Sequence, residues 1–170
     1  MLDYFDTTGV AAIDYFVSDE YHSPPGSPQR FVETLIRLPT IRLCYQPVDI
    51  APPVRDLPAL RNGFVTFGSF NRREKVTPDV IALWSRVLHA VARSRLVLKG
   101  SFFDKADVQR SILDAFAAHD IVADRIEFRG RSAHRDLLEE YGDLDIGLDT
   151  FPWNGGLTTC EALLMGVPVM

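Results

Sequence analysis

The chain has 170 residues, 46% of them hydrophobic and 24% charged, and a formal net charge of −5. That balance belongs to a globular chain rather than a disordered one, and it excludes a broad basic face for a nucleic-acid backbone while leaving room for a local basic pocket. No run of about eighteen apolar residues is present, so no membrane-spanning helix is expected, and Met1-Leu-Asp-Tyr-Phe-Asp6 lacks the basic and apolar regions of a signal peptide.

Residues 12–17 predict a strand. Ser23-Pro-Pro-Gly-Ser-Pro28 is a loop, because three prolines and a glycine in six residues interrupt any regular element. Residues 31–38 predict a short helix and residues 42–45 another strand. Prolines at 47, 52, 53 and 58 mark a linker. From Gly63 the pattern becomes regular, beginning with a strand over 64–67. Thr77-Pro78-Asp79 opens a helix, with Thr77 as N-cap and Pro78 at the first helical position. Val80, Ile81, Trp84, Val87, Leu88 and Val91 then recur at helical spacing on one face. Residues 95–99 predict a strand, 107–119 a helix with Ile112, Leu113 and Phe116 inward, and 126–128 a strand. A helix over 133–141, a strand over 145–148, a helix over 157–165 and a further strand over 167–170 complete the series. The alternation implies an α/β fold, a Rossmann-like parallel sheet with flanking helices and right-handed crossovers. Ligands of such sheets bind beyond the carboxyl ends of the strands. Loops 70–75 and 151–159 each follow a strand and are expected on that edge.

The segment Asn154-Gly-Gly-Leu-Thr-Thr-Cys-Glu161 carries the sharpest chemical signal. Gly155 and Gly156 let the backbone bend where a side chain would clash. Thr158 and Thr159 fall in the first turn of the helix that follows, whose free N–H groups and positive dipole end form an anion site. Glu161 lies on the same helix, within reach of a sugar hydroxyl beyond the anion. A turn for phosphate followed by a carboxylate for ribose is what a nucleotide-sugar donor requires. Lys75 can stabilise the negative charge that a departing diphosphate develops in the transition state, and Arg72 and Arg73 add positive field beside it. Asp143-Leu-Asp145 mimics a metal-binding Asp-x-Asp pair, but Asp145 leads directly into an apolar strand and reads as structural. The histidines at 22, 89, 119 and 134 show no ligand spacing. Neither a dinucleotide nor a triphosphate glycine motif is present. Cys44 and Cys160 form no metal pattern and read as packed thiols in a reducing, cytoplasmic setting.

Residues 154–169 resemble the donor-site motif of the O-linked N-acetylglucosamine transferase family, with its SPINDLY-like and bacterial members. Thr7-Thr-Gly9 through Tyr15 resembles that family's Gly-Thr-Thr-Gly…Asp-Tyr segment, with Asp6 in place of the first glycine. Tyr21 to Pro25 and Glu33 to Pro39 are similar to the lines that follow it. Phe67-Gly-Ser-Phe-Asn-Arg-Arg-Glu-Lys75-Val-Thr-Pro78 resembles the Phe-Asn…Lys-(Ile/Val)-x-Pro segment. The resemblance implies the C-terminal lobe of a GT-B fold over 57–170, preceded over 1–56 by an irregular tail of the N-terminal lobe and a linker. It implies a piece of a larger transferase, since the family carries tetratricopeptide repeats, none visible here, and its candidate catalytic histidine lies upstream. The piece alone is expected to be inactive.

The resemblance further implies that Lys75, Gly155, Gly156, Thr158, Thr159 and Glu161 bind the donor. Ser132 and His134 would meet the nucleobase, His134 by stacking. Many relatives place a histidine where this chain has Leu137, which leaves the base contact open. The implied reaction moves N-acetylglucosamine, or a related sugar, from a UDP-sugar such as UDP-GlcNAc to Ser or Thr of a protein acceptor. No metal and no cofactor are expected, nor a nucleic-acid or membrane partner. Self-association of the piece is an expectation from its sheet edge. Two alternatives stay open: an O-fucosyltransferase using GDP-fucose, and a non-catalytic Rossmann-like interaction module whose donor site has decayed.

Overall fold

A computed structural model describes residues 6–170. They divide into two compact units, one ending at Gln46 and the other running from Pro47 to Met170.

The first unit is built on two parallel strands, β1 (Tyr15–Asp19) and β2 (Thr34–Leu38), in register Tyr15↔Thr34 through Asp19↔Leu38. The helix expected over residues 31–38 is corrected to a strand. Thr34-Leu-Ile-Arg-Leu38 is followed at once by Pro39, so the apolar run is too short to repay helix nucleation. Pairing with β1 satisfies its backbone instead, starting with the Thr34 N–H to the Asp14 carbonyl at 2.8 Å. The strand expected over 42–45 does not form. The Arg42 N–H is captured at 2.6 Å by the buried carboxylate of Asp19, which also accepts the N–H groups of Tyr21 and His22 at 2.8 Å each. Burial alone would raise the Asp19 pKa. The backbone donors of Arg42 and His22, with the His22 ring, overcome that and hold it at about 2.

The second unit is a three-layer α/β sandwich. Its sheet contains β3 (Thr66–Ser69), β4 (Arg95–Lys99), β5 (Ile126–Arg129) and β6 (Ile146–Gly147), in spatial order β5-β4-β3-β6 with every pairing parallel. Residues expected to form a final strand contribute a bridge between Val169 and Gly147. Alternation along β4 divides the core: Leu96 and Leu98 face one side and Val97 the other. On the first side lie α2 (Pro78–Ala90) and α3 (Ala106–Ala117), which bury Val80, Ile81, Trp84, Leu88, Ile112 and Phe116. Each such side chain removed from water contributes about 1.5–3 kcal/mol. On the second side lie α4 (His134–Tyr141) and α5 (Leu157–Leu164), with Leu138, Tyr141, Leu144, Ala162 and Met165. Thr77 caps α2 as expected, its hydroxyl accepting the Val80 N–H at 3.3 Å.

A helix not foreseen, α1 (Pro58–Asn62), has proline at its first turn and Gly63 at φ 72° as its left-handed stop. Asp145 holds it, accepting the N–H of Ala59 at 2.8 Å and that of Thr66 at 2.7 Å. Residues 47–56 were expected to belong with the preceding segment as tail and linker. Their Val48 and Ala51 pack on the second core cluster, and Arg55 pairs with Glu139, so they belong to the second unit.

The strand order positions the site. The chain steps from β3 outward to β4 and β5, then returns to the opposite side of β3 with β6. The reversal opens a crevice between the exit loops of β3 and β6, the switch point at which sheets of this kind bind ligands.

Candidate functional site

The exit loop of β3 runs through Phe70 and Asn71 into a 3-10 turn at Arg73–Lys75. The exit loop of β6 runs through Asp149 to the turn at Gly155 and Gly156 before α5. The two meet. The Lys75 ammonium donates to the Asn154 carbonyl at 2.7 Å and to the Asn71 Oδ1 at 3.3 Å. The Thr158 hydroxyl donates to the same Asn71 Oδ1 at 3.4 Å. Lys75 and the start of α5 therefore address one point on one edge of the sheet. Burial pushes the Lys75 ammonium below the ordinary lysine range; the Asp149 carboxylate works against that shift and the Arg72 guanidinium adds to it.

Asp149 organises the second loop. Its carboxylate accepts the N–H of Thr150 at 2.8 Å and of Gly155 at 2.7 Å, and the amide of Asn154 at 3.3 Å. Gly155 is required by close approach. A Cβ there would lie 2.5 Å from the Thr159 hydroxyl oxygen and 2.8 Å from that of Thr158, whereas one at Gly156 would meet nothing within 4 Å. Gly156 is the N-cap of α5 and no side chain caps that helix, so the first-turn threonines do not serve as caps. Tyr141 fixes the same turn by donating its hydroxyl to the Thr158 carbonyl at 3.0 Å. α5 has no acidic residue of its own in its first turn.

Beside this point a cleft of about 350 Å³ is lined by Asn71, Arg72, Lys99, Arg131, Ser132 and His134, among others. Ser132 and His134, both exposed, are among the residues that line it. Glu161 is buried at 4% exposure, and His134 donates its Nε2–H to the Glu161 Oε1 at 2.8 Å. Two residues expected to act separately, one on the base and one on the ribose, form a pair across α4 and α5. On the other side a second cleft of about 390 Å³ is lined by Arg72, Glu74, Lys75, Thr77, Phe151, Pro152 and Trp153.

Sequence reasoning missed Asn71, Asp149, Tyr141 and Lys99. Lys99 is 1% exposed, donates to the Gly130 carbonyl at 2.9 Å and pairs with Glu140 at 2.7 Å, so it supports the cleft floor. Asn71 and Asp149 each follow a strand end by two residues, a position that signals function once strand order is known. Asp143 and Asp145 are structural: Asp143 pairs with Arg129 at 2.8 Å and Asp145 anchors α1. Among the described residues no group of three or more His, Cys, Asp or Glu side chains is placed to hold a metal ion, and no helix is long and apolar enough to cross a membrane. In the first unit, Thr7 and Thr8 donate their hydroxyls to Glu33. Burial would raise the Glu33 pKa, but those hydrogen bonds hold it at about 2.

No family model matches the chain. It is 44% identical over 168 residues to the probable UDP-N-acetylglucosamine–peptide N-acetylglucosaminyltransferase SPINDLY of Petunia hybrida, covering 98% of this chain and 18% of the relative. It is 30% identical over 175 residues to the Arabidopsis thaliana protein SEC, of the same printed activity, covering 96% of this chain and 17% of that one. The chain thus spans about a fifth of the length of the curated relatives it matches. Among solved structures, a mutant O-GlcNAc transferase of Thermobaculum terrenum superposes with a TM-score of 0.84 at 37% identity, covering 98% of this chain and 31% of that one. A sucrose-phosphate synthase of Thermosynechococcus elongatus shares the fold at 18% identity and a TM-score of 0.54, covering 91% of this chain and 39% of that one. The parallel sheet and flanking helices are those of a GT-B glycosyltransferase lobe. By sequence and by fold, the chain belongs to the O-linked N-acetylglucosamine transferase family and corresponds to part of its catalytic region.

Proposed function

We propose that this chain supplies the donor-binding part of a protein O-glycosyltransferase, with the diphosphate of a nucleotide sugar seated between Lys75 and the first turn of α5. The observation that carries the reading is the convergence of the Lys75 ammonium and the Thr158 hydroxyl on Asn71 at the switch point of the sheet. A fixed ammonium and a helix N-terminus stabilise diphosphate charge more as the sugar bond breaks than before it breaks. Thr158, Thr159 and the backbone near Gly155 and Gly156 hold phosphate oxygens. Glu161, oriented by His134, accepts from ribose hydroxyls. Ser132 and His134 border the base in the adjoining cleft. The relatives' printed names supply the transferred group and acceptor class, N-acetylglucosamine and peptide.

Titration calorimetry of the protein with UDP, GDP and their sugars tests the reading. Selective binding of a nucleoside diphosphate, weakened about tenfold or more in Lys75→Ala, supports it, on the order of what losing one charged contact costs. Absence of nucleotide binding, or equal binding by Lys75→Ala, would favour a non-catalytic interaction module.

A further inference from the structure

We infer that Asn71 is a positioning residue, whose carboxamide holds the Lys75 ammonium and the Thr158 hydroxyl toward one shared anion. The inference rests on the donor reading above and deepens it. Asn71 is 7% exposed at the exit of β3, where the sheet reverses direction. Its Oδ1 accepts from Lys75 at 3.3 Å and from Thr158 at 3.4 Å. Its Nδ2 donates to Asp149 at 3.3 Å and to Ser69 at 3.4 Å. A carboxamide carries two acceptor lone pairs and two N–H donors, and all four are engaged.

No other side chain of this size meets those demands. Aspartate accepts but does not donate, and would set a second negative charge against Asp149. Leucine has the shape and none of the hydrogen bonds. Lys75 sits on a flexible four-carbon stem, so its direction is set by whatever accepts from it. Its other acceptor here, the Asn154 carbonyl, is itself held through Asp149. Asn71 therefore connects the exit loop of β3 to the exit loop of β6 and to α5. The charged groups acting on Lys75 are Asp149 and Arg72, with Glu74 adjacent in its own turn.

Two measurements test this. The first needs no nucleotide: acylation of Lys75 is followed against pH by peptide mass mapping. Asn71→Asp places a carboxylate against the ammonium, so the onset of reactivity moves to higher pH by about one unit, while Asn71→Leu does not raise it. An unchanged onset in Asn71→Asp overturns the contact. The second is a cycle of UDP titrations on the wild type, Asn71→Leu, Lys75→Met and the double variant, each checked for native circular dichroism. Asn71→Leu is expected to weaken UDP about tenfold when Lys75 is intact and by clearly less in the Lys75→Met background, where only the Thr158 hydroxyl is left for Asn71 to hold, the non-additivity of residues acting as a unit. No loss in Asn71→Leu, or equal losses in both backgrounds, overturns the positioning role while leaving the donor site standing. Failure of the wild type to bind, or Lys75→Met binding as the wild type does, overturns the donor reading and the inference with it.

Discussion

Gly155 and Gly156 are neighbours in a motif, yet the structure gives them different work. A methyl on Gly155 would strike the hydroxyls of Thr159 and Thr158, while a methyl on Gly156 would enter open space. Gly155→Ala is expected to weaken UDP binding at least about fivefold with a modest change in stability, because hydroxyls must turn away from the phosphates. Gly156→Ala should bind within about twofold of wild type, since nothing is displaced; paired calorimetric titrations check both. The His134–Glu161 pair makes a second residue-scale case. Removing the imidazole leaves a buried carboxylate without that partner, which costs on the order of 1–3 kcal/mol. His134→Ala should therefore lower the urea unfolding free energy by about that amount, and adding Glu161→Gln should recover part of it. Motif reading singled out Lys75, both threonines and Glu161, because their residue types state their chemistry. It could not find the His134–Glu161 contact, which depends on how α4 packs beside α5.

At the scale of elements, α2, β4, α3 and β5 were legible because their patterns are long and their ends are marked by Thr77, Pro78 and the apolar runs. The first unit was legible only in part, in the strand expected over 12–17 that overlaps β1 and the loop over 23–28, because side chains rather than backbone ladders decide the rest of its course. Asp19 captures the Arg42 N–H and removes an expected strand, and Glu33 ties down Thr7 and Thr8. Both carboxylates sit at about 2 in the folded state, below the ordinary unfolded range of about 4. A depressed carboxylate pKa contributes stability that is fully present above the unfolded value and is lost as pH falls through the folded one. Protection of the β1 and β2 amides, taken relative to the intrinsic exchange rate at each pH, should therefore fall between about pH 4 and pH 2. Asp19→Asn should exchange faster at neutral pH and respond less to that acid step.

For the whole molecule, the decisive information is strand order. The sequence implies parallel strands with helices between them, but nothing in a strand's own residues says that β6 returns beside β3 instead of extending beyond β5. Once the order β5-β4-β3-β6 is known, the crevice between the exit loops of β3 and β6 follows from topology. Gly68 shows how tightly that centre is built, since a Cβ there would lie 2.3 Å from the Leu144 Cδ1. The net charge of −5 does not oppose an anionic ligand, because Arg72, Lys75 and Arg131 gather around the adjoining clefts. A crystal structure of the protein with UDP tests the donor site most directly. Diphosphate oxygens are expected within hydrogen-bond distance of both the Lys75 ammonium and the Thr158 backbone or hydroxyl, with the base in the cleft beside Ser132 and His134. A nucleotide bound elsewhere, with Lys75 still turned to the Asn154 carbonyl, would contradict that placement.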